Sequence, residues 1–179
     1  PTPKGDFKGP LVARTLRGAE GSVHRKLLET EQRLREYAGE SKLNRLLPGS
    51  ADWGIITSGM AWAYPMEALD ILGLYDVPVL KLGLVHPLSP KMVGDFMRGL
   101  RKVIVIEQLD PFLESGVKRM AYELGLSAPI VGKECIPETG ALSSSIVAVQ
   151  LSKYLALPLP DEFTKGIERR EAMGKIPGM

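Results

Sequence analysis

The sequence has 179 residues, 44% of them hydrophobic and 25% charged, with a formal net charge of +2. That is enough chain for one globular domain with a buried core, and too little for a large multidomain enzyme. A single cysteine, Cys135, and two histidines, His24 and His86, leave no means of building an intramolecular disulfide, a paired redox motif or a self-contained zinc or iron-sulfur centre.

Mean hydropathy is close to zero, and no segment approaches the roughly 18 consecutive apolar residues of a membrane span. Pro1 to Pro10 is polar and lacks the apolar stretch of a secretory signal, so a reducing, cytoplasmic setting is expected. The positive charge is concentrated early: residues 1–50 carry ten Lys/Arg against six Asp/Glu, and residues 51–160 carry nine against eleven. Those early positives alternate with glutamates (Arg25, Lys26, Glu29, Glu31, Arg33, Arg35, Glu36) and have no interleaved aromatics for base stacking. They describe a solvated helix face and not a nucleic-acid site.

Residues 1–21, with four Gly and three Pro, form an extended lead-in. Ser22 is a predicted N-cap, and Val23, Leu27, Leu34 and Tyr37 recur at three- and four-residue multiples, which predicts an amphipathic helix over 23–38. Pro48 and Gly49 mark a loop. Short runs of Val, Ile and Leu then follow at 54–57, 79–82, 103–106 and 129–131, as expected of strands buried on both faces. Segments of helical length separate them at 61–72, 90–100 and 111–124. Ser89-Pro90 and Asp110-Pro111 read as N-cap and first-turn pairs, and Gly125 as a stop. A last helix is predicted over 143–155, and residues 158–179 read as a linker or tail. The succession predicts an α/β three-layer sandwich with a mostly parallel sheet, preceded by the N-terminal amphipathic helix.

In such a sheet, ligands gather at the carboxyl ends of the parallel strands. Three of these ends carry polar residues: Thr57-Ser58-Gly59, the 83–89 stretch with His86, and Glu107 to Asp110. One reading makes Thr57, Ser58, Gly59, His86, Glu107 and Asp110 a shared ligand or interface edge. The other is turn chemistry, with Gly59 permitting a tight connection, Ser58 capping a helix, and Glu107 and Asp110 satisfying helix N-terminal amides. Dinucleotide (GxGxxG), phosphate-loop (GxxxxGK[ST]) and nucleophile-elbow (GxSxG) spacings are absent. His86 stands without a second histidine at ligand spacing, and Cys135 reads as a structural or incidental thiol.

The run Gly54 to Gly59, then Glu67-Ala68-Leu69, Val79 to Gly83 with Pro87-Leu88, Val103 to Glu107 with Leu109-Asp110-Pro111, Gly132-Lys133, Pro137 and Gly140-Ala141-Leu142, resembles the middle of the large (alpha) subunit of indolepyruvate ferredoxin oxidoreductases. Upstream, Ala13-Arg14, His24 and Leu43-Asn44 fit the same pattern. The resemblance implies a domain similar to the transketolase C-terminal domain, mainly architectural, within a thiamine diphosphate-dependent 2-oxoacid:ferredoxin oxidoreductase. Such an enzyme converts an aryl 2-oxoacid to an acyl-coenzyme A and passes electrons through iron-sulfur clusters to ferredoxin. It works with a second (beta) subunit.

Thiamine diphosphate enzymes of this kind hold their phosphates through magnesium, on a GDG motif followed by asparagine. Gly5-Asp6-Phe7 and Gly94-Asp95-Phe96 supply neither part, and one cysteine cannot ligate a cluster. The chain is therefore expected to be one domain of a longer enzyme: a lead-in arm over 1–50, the α/β domain over 51–157 and a linker or tail over 158–179. It is expected to bind no cofactor or metal, to touch neither nucleic acid nor membrane, and to show no turnover alone. His86, where the family commonly has tyrosine, and Gln108, where a second acidic residue is common, leave other aryl or branched 2-oxoacids open. Two further readings remain: a stand-alone nucleotide- or phosphate-binding protein using the Thr57-Ser58-Gly59 edge, and an assembly module whose basic helix docks on a partner.

Overall fold

A computed structural model describes residues 20–174, with side chains described over 21–169. The lead-in, but for its last residues, lies outside them. The apolar runs form a five-stranded sheet in the order β1-β3-β2-β4-β5: β1 (Arg45–Leu47), β2 (Trp53–Ser58), β3 (Val79–Leu82), β4 (Lys102–Ile106) and β5 (Ile130–Val131). All neighbours pair parallel except β1, which runs antiparallel along the edge of β3 with Leu46 opposite Leu80.

Among the described residues there are six α-helices: α1 (Glu20–Glu40), α2 (Ala63–Ile71), α3 (Pro90–Met97), α4 (Phe112–Glu123), α5 (Ser144–Leu155) and α6 (Asp161–Gly174). Because side chains alternate along a strand, a continuous apolar run serves two layers at once. Ile55, Val79, Ile104 and Ile106 face Ala68, Leu69, Val147 and Leu151 of α2 and α5. Ile56, Leu80, Val103 and Val105 face Val93, Phe96, Leu113 and Val117 of α3 and α4. The chain leaves β2 by α2 on one face, then crosses to β4 and β5 by α3 and α4 on the other. This is the expected three-layer, mostly parallel arrangement.

Four local expectations are revised. Residues 45–47 join the sheet, so it begins before residue 51; three edge residues paired to a distant strand leave no local period to read. Within 158–179, Asp161–Gly174 form α6, and Phe163 packs on the α2/α5 side of the core. Ser22 lies inside α1, which starts no later than Glu20. The second helical segment begins as a 3-10 turn, Gly59–Trp62, before α2. Ser89 does cap α3, accepting from the Met92 amide at 3.3 Å. No described helix is long and apolar enough to cross a membrane.

Candidate functional site

The carboxyl ends of β3, β2 and β4 lie side by side, as their parallel pairing requires. The six residues expected there are divided among three tasks. Thr57 is fully buried, and its hydroxyl donates to the Ile106 carbonyl at 2.8 Å, tying β2 to β4. Ser58 ends β2 in extended backbone and caps no helix with its side chain. Gly59 turns the chain at φ +54°, a left-handed conformation open to glycine without penalty, and places Met60 in solvent.

Glu107 is the organising residue. It is buried at the end of β4, and its two carboxylate oxygens accept from the backbone amides of Leu113 at 2.7 Å and Glu114 at 2.8 Å. A carboxylate at a helix N-terminus satisfies unpaired donors and complements the helix dipole. Asp110 does not share this role: the N-terminal residue of α4 is flanked by Pro111, with no side-chain cap. The capping carboxylate comes instead from three residues earlier, because only the strand end points it back over the first turn.

A second buried carboxylate, Glu114, accepts from Lys118 Nζ at 2.6 Å and from the Lys133 amide at 2.9 Å. Lys133 Nζ donates to the Glu107 carbonyl at 2.7 Å, closing a loop from β4 through α4 to the segment after β5. Burial pushes the Glu114 carboxyl up, but the Lys118 hydrogen bond and the Lys133 amide and charge outweigh it, leaving it below the ordinary glutamate value. Gly132 is required beside it, since a Cβ there would overlap the Glu114 carboxylate.

His86 and Asp110 come together in a cleft of about 500 Å³ between α4, the segment before α3 and α1. Val85, Leu88, Phe112 and Met120 give it apolar walls, and Arg35 and Arg119 reach its rim. Each guanidinium already has a carboxylate, Arg35 with Glu31 at 2.9 Å and Arg119 with Glu123 at 2.8 Å, so the rim offers no concentrated positive charge to a phosphate. Leu109, at φ +58°, and Phe112 are exposed beside it. Thr57, Ser58 and Gly59 do not line this cleft. The six edge residues thus divide among a strand bridge, a turn, a helix cap and a separate apolar cleft.

A thiamine diphosphate-magnesium group does not fit the described residues. Among the described residues no three His, Cys, Asp or Glu side chains gather to hold a metal ion, and Glu107 and Glu114 are spent on backbone amides and Lys118. Nor does Cys135 suit a cluster: burial, reinforced by the Glu134 charge and opposed by Lys102, pushes its thiol up to about 11, so it stays protonated.

Residues 47–171 match the family model described as "Indolepyruvate oxidoreductase domain". The chain belongs to this family. Relatives named indolepyruvate oxidoreductase subunit IorA are 36% identical over 155 residues in Thermococcus kodakarensis and 33% over 174 residues in Pyrococcus abyssi, covering 86% and 96% of this chain. A third, from Methanothermobacter marburgensis, is 36% identical over 95% of the chain. The chain spans about a quarter of these relatives, between 24% and 27% of each.

Two solved structures share the fold of this indolepyruvate oxidoreductase domain. One is 2-oxoglutarate:ferredoxin oxidoreductase from Magnetococcus marinus (TM-score 0.54, 18% identity, 75% of this chain and 23% of that one). The other is a split-gene transketolase described as an inactive beta4 tetramer (TM-score 0.50, 20% identity, 64% of this chain and 41% of that one). The sheet and its helix layers are therefore transketolase C-terminal-like.

Sequence reasoning missed Arg35, Glu114, Arg119 and Asn44 as organisers of this domain. The Glu31/Arg35 and Arg119/Glu123 spacings are visible as helical i,i+4 pairs, but nothing in them says that α1 and α4 meet across a cleft. Asn44 accepts from the Gly83 and Leu84 amides at 2.8 and 3.2 Å and donates to the Ala38 carbonyl at 2.7 Å, binding the end of α1 to the exit of β3.

Proposed function

We propose that this chain is a structural and interface domain of a larger oxidoreductase subunit and performs no chemistry by itself. The observation that carries the reading is the match of residues 47–171 to an indolepyruvate oxidoreductase domain in a chain that spans only about a quarter of its relatives. The engagement of its edge residues supports the same reading: Thr57, Glu107, Glu114 and Lys133 all hold the fold. None is left poised toward a reacting group.

In this proposal the complete enzyme oxidatively decarboxylates indolepyruvate or another aryl 2-oxoacid in the cytoplasm. Thiamine diphosphate and magnesium supply the carbanion chemistry when bound elsewhere in the enzyme, and iron-sulfur clusters outside this domain carry electrons to ferredoxin. The acyl group leaves on coenzyme A. Other domains of the same subunit and a second (beta) subunit are its partners. This domain's own residues contribute position: the Glu107 cap and the Asn44 clamp hold α4 and α1 rigid against the sheet, so that surfaces built on them keep their spacing.

The test is calorimetric titration of the 179-residue chain with thiamine diphosphate and Mg²⁺, alongside 2-oxoacid-dependent reduction of a viologen dye. No binding heat and no reduction are expected. Stoichiometric thiamine diphosphate binding by this chain overturns the proposal.

A further inference from the structure

The residues of α1 divide into two unequal faces. Toward its end Ala38 is buried against the body, with Glu31 and Arg35 half-buried on the same side, and Asn44 secures the last turn. The apolar stripe points elsewhere. Val23 is 56% exposed, Leu27 64%, Leu34 45% and Tyr37 56%. With Thr30 they fall at alternating spacings of four and three residues, the pattern by which a helix seats against another helix. The largest exposed apolar patch on a monomer is often functional, and this stripe carries helix-packing spacing.

Three observations identify what covers it. First, the domain model begins at residue 47, after α1, whereas the Pyrococcus abyssi subunit aligns over 96% of the chain, a span that must include α1. The helix is thus shared with long single-chain relatives while lying outside the domain that its own C-terminal turns touch. Second, the stripe is small. Four apolar side chains fall well short of the roughly 20–30 residues a side that a stable association between free partners buries. A segment tethered in the same polypeptide works at millimolar effective concentration and needs far less. Third, Lys26 and Arg33, seven residues apart, flank the stripe on the side away from the body. They ask for carboxylates on the rim of whatever docks.

We propose that the Val23, Leu27, Leu34 and Tyr37 face of α1 is the surface on which another part of the same oxidoreductase polypeptide docks, through an apolar helix rimmed by carboxylates. The proposal rests on the interface-domain reading and gives that interface a location. Leu27→Glu/Leu34→Glu tests it, since glutamate preserves helix propensity while destroying the stripe. In the complete subunit, with the beta subunit present or absent, amide hydrogen exchange over 23–37 should be at least tenfold slower than in the 179-residue chain, and the double variant should erase that protection. Protection seen only with the beta subunit bound overturns the proposal. In the 179-residue chain the same variant should leave helicity and Tm unchanged. If the double variant prevents the complete subunit from assembling, Leu27→Ala/Leu34→Ala gives the same readout more mildly.

Equal exchange in the two contexts overturns the proposal, as does protection that survives both variants. A dimer of the 179-residue chain that light scattering shows and the double variant abolishes overturns it in favour of self-association. The thiamine titration above is independent of all these outcomes, so failure of the docking surface and failure of the interface-domain reading are distinguishable.

Discussion

Helices α1 and α4 border the same cleft and are held in opposite ways. At α4, Leu113, Val117, Met120 and Ala121 are buried, two N-terminal amides are capped by Glu107, and Glu114 is tied to Lys118 and Lys133. At α1, contact with the body is confined to the last turns and to Asn44, and the apolar stripe faces solvent. The difference teaches that amphipathic pattern does not say which body a helix belongs to. An apolar face buried in its own domain and one reserved for another domain look alike along the chain.

That contrast can be broken from either side. The largest effect is expected at the α4 end: Glu107→Ala removes the acceptor for two buried amides and should cost about 3 kcal/mol, read as a lower urea midpoint with an unchanged slope. Asn44→Ala loses three hydrogen bonds that join α1 to β3, and should cost about 2 kcal/mol while speeding hydrogen exchange throughout α1.

Glu114→Gln should cost about 1–2 kcal/mol near neutral pH. Because the Glu114 carboxyl lies below its ordinary value in the folded state, its contribution is complete above that ordinary value and is lost as pH falls through the folded one. The gap between wild type and variant should therefore be full above the ordinary glutamate value and close as pH falls below it, measured by urea unfolding across that range. Smallest of all, Leu27→Ala in the 179-residue chain should change stability by less than about 0.5 kcal/mol, since its side chain is exposed. A loss of 2 kcal/mol there would show that α1 is held by its own domain and erase the contrast.

Much of the fold was legible. Runs such as Val103 to Ile106 are apolar at every position, which only a strand covered on both faces tolerates, and Ser89-Pro90 is a local cap whose geometry depends on its own backbone. β1 was not legible, because Arg45–Leu47 becomes a strand only through pairing with Val79–Lys81. The charged, glycine-containing stretch of α6 gave a weak period, and its Phe163 packs against the core. At the candidate site, the turn-chemistry reading gave both Glu107 and Asp110 to helix amides; Glu107 accepts from two of them, and Asp110, the nearer residue, does not cap the helix. Proximity along the chain favoured Asp110; the direction of β4 at its end chose Glu107.

By itself the sequence determined the layered α/β architecture, the succession of strands and helices, and the family pattern, because these depend on hydrophobic period, turn chemistry and the order of short motifs. Only the tertiary structure decided what the polar edge does. Thr57 bridges two strands, Glu107 and Glu114 lock α4, and His86 and Asp110 meet Arg35 and Arg119 across a cleft. It also decided that, among the described residues, nothing buries the stripe on α1. Hydrogen bonding and burial depend on which distant groups come within a few ångströms, and the folding of the whole chain sets those distances.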